Sequence, residues 1–285
     1  MFEIKIAESA GFCFGVRRAI GIVERELKRN SRVYTFGEII HNRFEVNRLV
    51  SMGARVVNSV DEVERGDVVV IRAHGIPFTE ELQLEMKGAR VVDATCPLVK
   101  DVQQKARILR DEGYQVLVFG NRNHPEVRAI VDYSYGSAIV VASPEEVETL
   151  GNFDKLGFIS QTTKPMSEFV KLLSLVFLHT KELRTFNTIC PATFQRQDEA
   201  KALAKWADIM LVVGGYNSSN TTNLALICKE VLPNTYHVES EEDIDRRWFV
   251  GVNRVGITAG ASTPQWMIDR VVKFLLDIGG NIGNG

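Results

Sequence analysis

The sequence predicts an α/β protein made of three small domains with mostly parallel sheets. Strand-like apolar runs alternate with helical patterns along the chain, the signature of repeated α/β units. Three segments that each start at a cysteine also resemble one another. They are CFGVRRAIGIVERELKRNSRVYTFGEIIHN from Cys13, CPLVKDVQQKARILRDEGYQVLVFGNRNHPE from Cys96 and CPATFQRQDEAKALAKWADIMLVVGGYNSSN from Cys190. Gly37, Gly120 and Gly214 each stand 24 residues after their cysteine, and His41, His124 and Ser218 each stand 28 residues after it.

Each unit runs from its cysteine into a helical pattern. Pro97 and Pro191 follow two of the cysteines, and proline suits a first helical position because its missing N–H has no partner there anyway. A β-rich run ending in the matched glycine comes next. A short strand and an acidic turn follow, the turns being NSVDEVE from 58, ASPEEVE from 142 and ESEEDID from 239. An apolar strand then ends in small polar residues: VVVIRAHG to Gly75, GFISQTTKP to Pro165 and VGITAGASTP to Pro264. A helix leads to a last strand before the next cysteine, as in ARVVDATC and LRTFNTIC. After the third unit the helix PQWMIDRVVKFLLDIGG has no strand behind it, and the N-terminal FEIKIA is expected to supply the missing one. The expected domains are therefore 14–96, 97–190 and 191–285, the third completed by the N-terminal strand 1–13. In such sheets function gathers at the carboxyl ends of strands. A pseudo-threefold arrangement would bring all three sets of strand ends to one central cavity.

Composition excludes several classes. The 285 residues are 45% apolar and 25% charged with a formal net charge of −2, too acidic for a dedicated nucleic-acid surface. The opening MFEIKIAESAGF lacks a signal-peptide layout. The most apolar stretch, Leu172 to Leu178, is too short for a bilayer and reads as a buried helix or strand. The expectation is a cytoplasmic protein with neither membrane nor nucleic-acid partner. Four cysteines without a CxxC pair fit neither a disulfide framework nor a zinc ribbon.

An isolated cysteine is usually a small core hydrophobe, and Cys228, which has no counterpart in the repeat, is read that way. Cys13, Cys96 and Cys190 differ because each sits at a helix N-terminus, where the dipole and free N–H groups favour a thiolate. Three converging thiolates suit a metal centre with one open position. A zinc site of three cysteines and a histidine competes, but structural zinc sites are usually local in sequence. A [4Fe–4S] cluster with three protein ligands fits better, making the cavity an iron–sulfur one. His41, His74 and His124, with the hydroxyls of Thr162, Thr163 and Ser262, can hold a phosphate or diphosphate. The Asn217-Ser218-Ser219-Asn220 loop before the helical pattern TTNLALICKEVL adds donors at a helix N-terminus. Glu126, two residues after His124, is a candidate general acid if a closed site raises its pKa. Arg17-Arg18 and Lys28-Arg29 read as a solvated face, the acidic run from Glu239 as a loop or helix start, and His179 and His237 as packed or surface residues. A non-catalytic iron–sulfur sensor or a zinc-dependent phosphate-ester hydrolase would account for fewer of these features.

The ordered set GFCFGV at 11–16, HN at 41, AHG at 73, DATCP at 93, HPEV at 124, SQTT at 160, NTICPAT at 187, NSSN at 217 and TAGAS at 258 closely resembles the LytB family of 4-hydroxy-3-methylbut-2-enyl diphosphate reductases over almost the whole chain. The resemblance implies a [4Fe–4S] cluster on Cys13, Cys96 and Cys190. It implies diphosphate binding by His41, His74, His124, Ser218, Ser219, Asn220 and Ser262, with Thr162 near the substrate hydroxyl and Glu126 as the proton source. The implied reaction is a two-electron reductive dehydroxylation of a small allylic diphosphate, the last step of the methylerythritol phosphate route to isoprenoids. It yields isopentenyl and dimethylallyl diphosphates with electrons from a one-electron donor such as ferredoxin or flavodoxin.

Overall fold

The computed structural model describes residues 1–283, so Asn284 and Gly285 of the expected third unit lie outside the described residues. The described chain forms two compact units. Among the described residues, one comprises residues 1–14, 41–45 and 191–283, and the other residues 15–40 and 46–190.

The second of these holds two four-stranded sheets in which every pairing is parallel. One sheet has the order β3-β2-β4-β5, from strands β2 (Val33–Phe36), β3 (Ala54–Val57), β4 (Val68–Ile71) and β5 (Arg90–Asp93). The other repeats that order as β7-β6-β8-β9, from β6 (Gln115–Phe119), β7 (Ile139–Val141), β8 (Phe153–Ser160) and β9 (Thr180–Thr185). Every residue of β2 and β4 is buried, as expected of central parallel strands covered on both faces. The edge strand β9 instead exposes Lys181 and Glu182, charges that discourage another strand from adding to it. Helices α1 (Phe14–Arg29), α2 (Arg43–Ser51), α3 (Phe78–Met86), α4 (Pro97–Asp111), α5 (Pro125–Tyr133), α6 (Pro144–Glu148) and α7 (Met166–Val176) connect the strands. Leu117, Phe119, Leu156 and Phe158 pack with Phe169, Leu172 and Val176 of α7. Val116, Val118 and Ile159 pack with Val102, Ala106 and Leu109 of α4 and with Ile130 of α5. The apolar run 172–178 is thus the end of α7, which buries Leu172 and Val176, and the turn after it, where Phe177 and Leu178 are exposed.

The remaining unit holds a five-stranded parallel sheet, β11-β10-β12-β1-β13. Its strands are β1 (Phe2–Ile6), β10 (Ile209–Val213), β11 (Thr235–Val238), β12 (Arg254–Ala259) and β13 (Gly280–Ile282). Helices α8 (Pro191–Trp206), α9 (Ser219–Val231) and α10 (Gln265–Asp277) cover it. The N-terminal β1 pairs with β12, in the position that β5 and β9 hold beside β4 and β8. Alternate residues of β10 face opposite layers: Ile209, Leu211 and Val213 pack toward α10, Met210 and Val212 toward α8 and α9. Cys228 lies in that second layer.

One expectation is corrected. A strand does follow α10: the short β13 pairs with β1 through Phe2, Glu3 and Ile4. It covers backbone groups that an unpaired edge would leave open, and its three residues are too few to show a period in the sequence. The acidic turns are three short helical turns opened by Ser59, Ser143 and Ser240, whose side chains accept from the backbone N–H of Asp61, Glu146 and Glu242. No helix among the described residues is long and apolar enough to cross a membrane.

Candidate active site

The three repeated cysteines occupy equivalent backbone positions. Each immediately precedes a helix, and each donates its N–H to a carbonyl two residues beyond the end of its unit's third strand. Cys13 bonds Ala261 O at 3.1 Å, Cys96 bonds Ala73 O at 2.9 Å and Cys190 bonds Thr162 O at 2.9 Å. The matched glycines repeat as strictly: Gly37, Gly120 and Gly214 donate to Val57, Val141 and Val238 at the ends of β3, β7 and β11. Cys13, Cys96 and Cys190 are partly exposed, whereas Cys228 is fully buried. Burial pushes the Cys228 thiol up to about 12, and its side chain packs in the apolar layer with Met210, Val212 and Leu224. The other three are a soft, all-thiol donor set at helix starts, suited to an iron–sulfur cluster. The Cys96 sulfur is also left a glycine-lined cradle, since an ideal Cβ at Gly15 would lie 2.5 Å from it.

In the unit of residues 15–40 and 46–190, His124 caps α5. Its Nδ1 accepts from Glu126 N–H at 3.2 Å, which puts the ring proton on Nε2. The His74 ring lies edge-on to it, centroids 5.3 Å apart. Glu126 is 1% exposed and spends both carboxylate oxygens on Thr162: Oε1 accepts from the backbone N–H at 2.7 Å, Oε2 from Oγ1 at 3.0 Å. Burial raises the carboxyl to about 7, against the opposing pull of the two Thr162 bonds. Thr162 in turn accepts the Cys190 N–H, so one residue joins a buried acid to a repeated cysteine. The Thr163 hydroxyl is buried beside them.

In the other unit, Ser218 caps α9 by accepting from Thr221 N–H at 3.3 Å. Ser262 Oγ lies 3.1 Å from His41 O and 3.4 Å from Ser218 Oγ. Gly215 permits this approach, because a Cβ there would meet His41 O at 2.8 Å. Ser219 and Asn220 are the first two residues of α9, so the helix starts earlier than the pattern TTNLALICKEVL implies. Asn220 is 8% exposed and its Nδ2 has no hydrogen-bond partner among the described residues. Leaving a buried donor unmade costs about 1–3 kcal/mol, so an acceptor from a ligand would relieve it.

Three residues read as bland in the sequence support these sites. Glu239 is a buried carboxylate, not a plain loop acid. Its Oε2 pairs with Arg43 at 2.8 Å and its Oε1 accepts from Tyr216 N–H at 3.0 Å, tying the His41 segment to the 214–220 loop. His237 Nε2 bonds Gly214 O at 2.9 Å, and desolvation lowers its pKa despite that bond. Arg18 leaves its expected solvated face to donate to Thr95 O at 3.1 Å and Asp93 O at 3.3 Å. His237 is offset from the repeat register. Glu239 and Arg18 are hidden among like charges, so no sequence signal separates them. Asn42, which accepts from Glu45 N–H at 3.1 Å and donates Nδ2 toward Met267 Sδ, anchors the same segment from inside.

The family described as LytB protein matches residues 4–276. A 4-hydroxy-3-methylbut-2-enyl diphosphate reductase of Geobacter sulfurreducens is 45% identical over 271 residues, covering 95% of this chain and 96% of that one. The enzyme of that name from Aquifex aeolicus is 45% identical over 282 residues, 98% of this chain and 97% of its own. Among solved structures, one described as (E)-4-hydroxy-3-methyl-but-2-enyl diphosphate reductase, the terminal enzyme of the non-mevalonate pathway, is 45% identical. It covers 97% of this chain and 100% of its own with a TM-score of 0.72. The E-1-hydroxy-2-methyl-but-2-enyl-4-diphosphate reductase of Plasmodium falciparum, 27% identical, reaches a TM-score of 0.92 over 100% of this chain and 93% of its own.

Proposed function

The chain belongs to the LytB protein family, and on that footing we propose that it reduces 4-hydroxy-3-methylbut-2-enyl diphosphate to isopentenyl and dimethylallyl diphosphates. The reaction replaces a C–OH bond by C–H with two electrons and two protons and releases water. Cys13, Cys96 and Cys190 hold a [4Fe–4S] cluster in this reading. When bound, the cluster supplies the electrons and an iron without a protein ligand. A ferredoxin, flavodoxin or similar one-electron donor recharges it, and the cytoplasm is the setting.

The protein's own groups then have separate tasks. His41, Ser218, Ser219, Asn220 and Ser262, with His74, His124 and Thr163, take the diphosphate in this reading; an amide such as that of the buried Asn220 and imidazole N–H groups are donors of the kind such an anion accepts. Glu126 holds the proton for the departing hydroxyl, and Thr162 keeps its carboxyl in one orientation. The observation that carries the reading is the Glu126–Thr162–Cys190 chain. It combines a fully buried carboxyl poised near neutral pH with a hydrogen-bonded link to a cysteine of the repeated set. Proton donors work best with a pKa near the operating pH.

Anaerobic purification tests this. A brown protein with iron and sulfide near four each, which turns over the allylic diphosphate with a reduced dye, is the expected result. Colourless protein with stoichiometric zinc would overturn the cluster; a brown protein without turnover would leave only a sensor or carrier.

A further inference from the structure

Helix α1 supports Cys96 at two points. Its second residue, Gly15, lies so close that an ideal Cβ there would stand 2.5 Å from Cys96 Sγ and 3.1 Å from Cys96 Cβ. No real side chain tolerates the first of these distances without movement. One turn on, the Arg18 guanidinium holds the carbonyls of Thr95 and Asp93, the residues that lead into the cysteine. The Asp93 carboxylate accepts the Thr95 N–H at 2.8 Å and pairs with Lys100 on the first turn of α4. The cysteine backbone is thus fixed by Arg18 and Asp93 while the sulfur rests on the opening turn of α1. The N–H groups of such a turn lack intrahelical partners and carry partial positive charge. Hydrogen bonds and charge at a cluster sulfur set its potential and its hold on iron.

We propose that Gly15 is a positioning residue for Cys96. By having no side chain it lets the start of α1 lie against the ligand sulfur, which fixes the thiolate's direction and tunes the cluster's potential. This rests on the iron–sulfur reading above. Gly21, on the same helix, supplies the control, because a Cβ there would meet only Arg25 Nη1 at 3.7 Å. Alanine raises helix propensity at both positions, so a difference between the two variants reports the contact at Cys96.

Gly15→Ala and Gly21→Ala are compared with the parent protein, purified anaerobically with its cluster. Iron release to a chelator and the midpoint potential are measured on the holoproteins. The alkylation rate of Cys96, followed by peptide mass, is measured on the apoproteins. Gly15→Ala is expected to release iron about tenfold faster, to shift in potential and to alkylate at a changed rate, while Gly21→Ala matches the parent. Gly15→Ala matching Gly21→Ala in all three would overturn the proposal. If the parent holds no iron, the functional reading fails, and the alkylation comparison still decides whether Gly15 positions Cys96. If circular dichroism shows Gly15→Ala unfolded, Arg18→Gln decides: faster iron release supports the helix-to-cysteine support, and parental behaviour overturns it.

Discussion

Glu126 and Asn220 hold the same station in two units, 30 residues after Cys96 and Cys190 and second in helices α5 and α9. Both sit in the first turn behind a capping side chain, His124 or Ser218. A helix start favours anions, so an exposed glutamate there would be ionised. At Glu126 burial overrules the helix, and the carboxyl is raised to about 7. At Asn220 the same geometry presents a buried amide donor with no described partner, as an anion site requires. The first unit departs again: Arg43 stands 30 residues after Cys13 but is the first residue of α2, behind Asn42. One sequence offset carries three chemistries, a proton, a neutral donor and a cation, the first two on the same backbone position and the third one residue nearer its helix start.

Substitutions at these stations test that division. The largest expected effect is Glu126→Gln, which keeps the Thr162 neighbourhood but removes the acid. Turnover should fall by about 10²–10⁴-fold with diphosphate binding retained, and near-normal turnover would end the proton-source role. Among the cysteines, Cys96→Ser should lose most of its iron and Cys228→Ser none; iron loss in the second would reassign the ligands. Asn220→Leu should weaken binding of inorganic diphosphate about tenfold by calorimetry, the worth of one buried hydrogen bond to a charged group. Unchanged affinity would remove Asn220 from the anion site.

A smaller, pH-dependent effect follows from burial. The raised Glu126 carboxyl makes a stability contribution that is full below its unfolded value near 4.5 and is lost as pH rises through about 7. Glu126→Gln should therefore flatten the fall in unfolding free energy over that window, measured by urea titration at several pH values. Parallel curves for parent and variant would show that the carboxyl is not desolvated. The smallest expected effect is Glu239→Gln. It leaves an acceptor for Tyr216 N–H but weakens the Arg43 pair, so KM should rise about twofold with kcat kept, the modest value of a pair whose Arg43 end is exposed.

The repeat made much of this fold legible. Strands buried on both faces read as continuous apolar runs, and a residue repeated at constant offset falls at a constant place in a repeated backbone. That is why Cys13, Cys96 and Cys190 could be grouped from spacing, and why the N-terminal strand could be given to the third sheet. His41, His124 and Ser218 stand out for the same reason, whereas Glu126 stands out only by its place two residues after His124. What lay outside the register was harder to see. β13 is too short to carry a period, and α9 begins in residues that also suit a loop.

The sequence by itself therefore determined the α/β class, the three sheets and the chemical types at each strand end, because backbone periodicity and residue chemistry are local properties. Only the tertiary structure decided what those residues experience. Desolvation moves Glu126 toward neutral pH, Thr162 ties it to Cys190, Glu239 and His237 brace the 214–220 loop, and α1 closes on the Cys96 sulfur at Gly15. Burial and contacts between residues far apart in the chain are sums over the whole packed surroundings, and no stretch of sequence contains them.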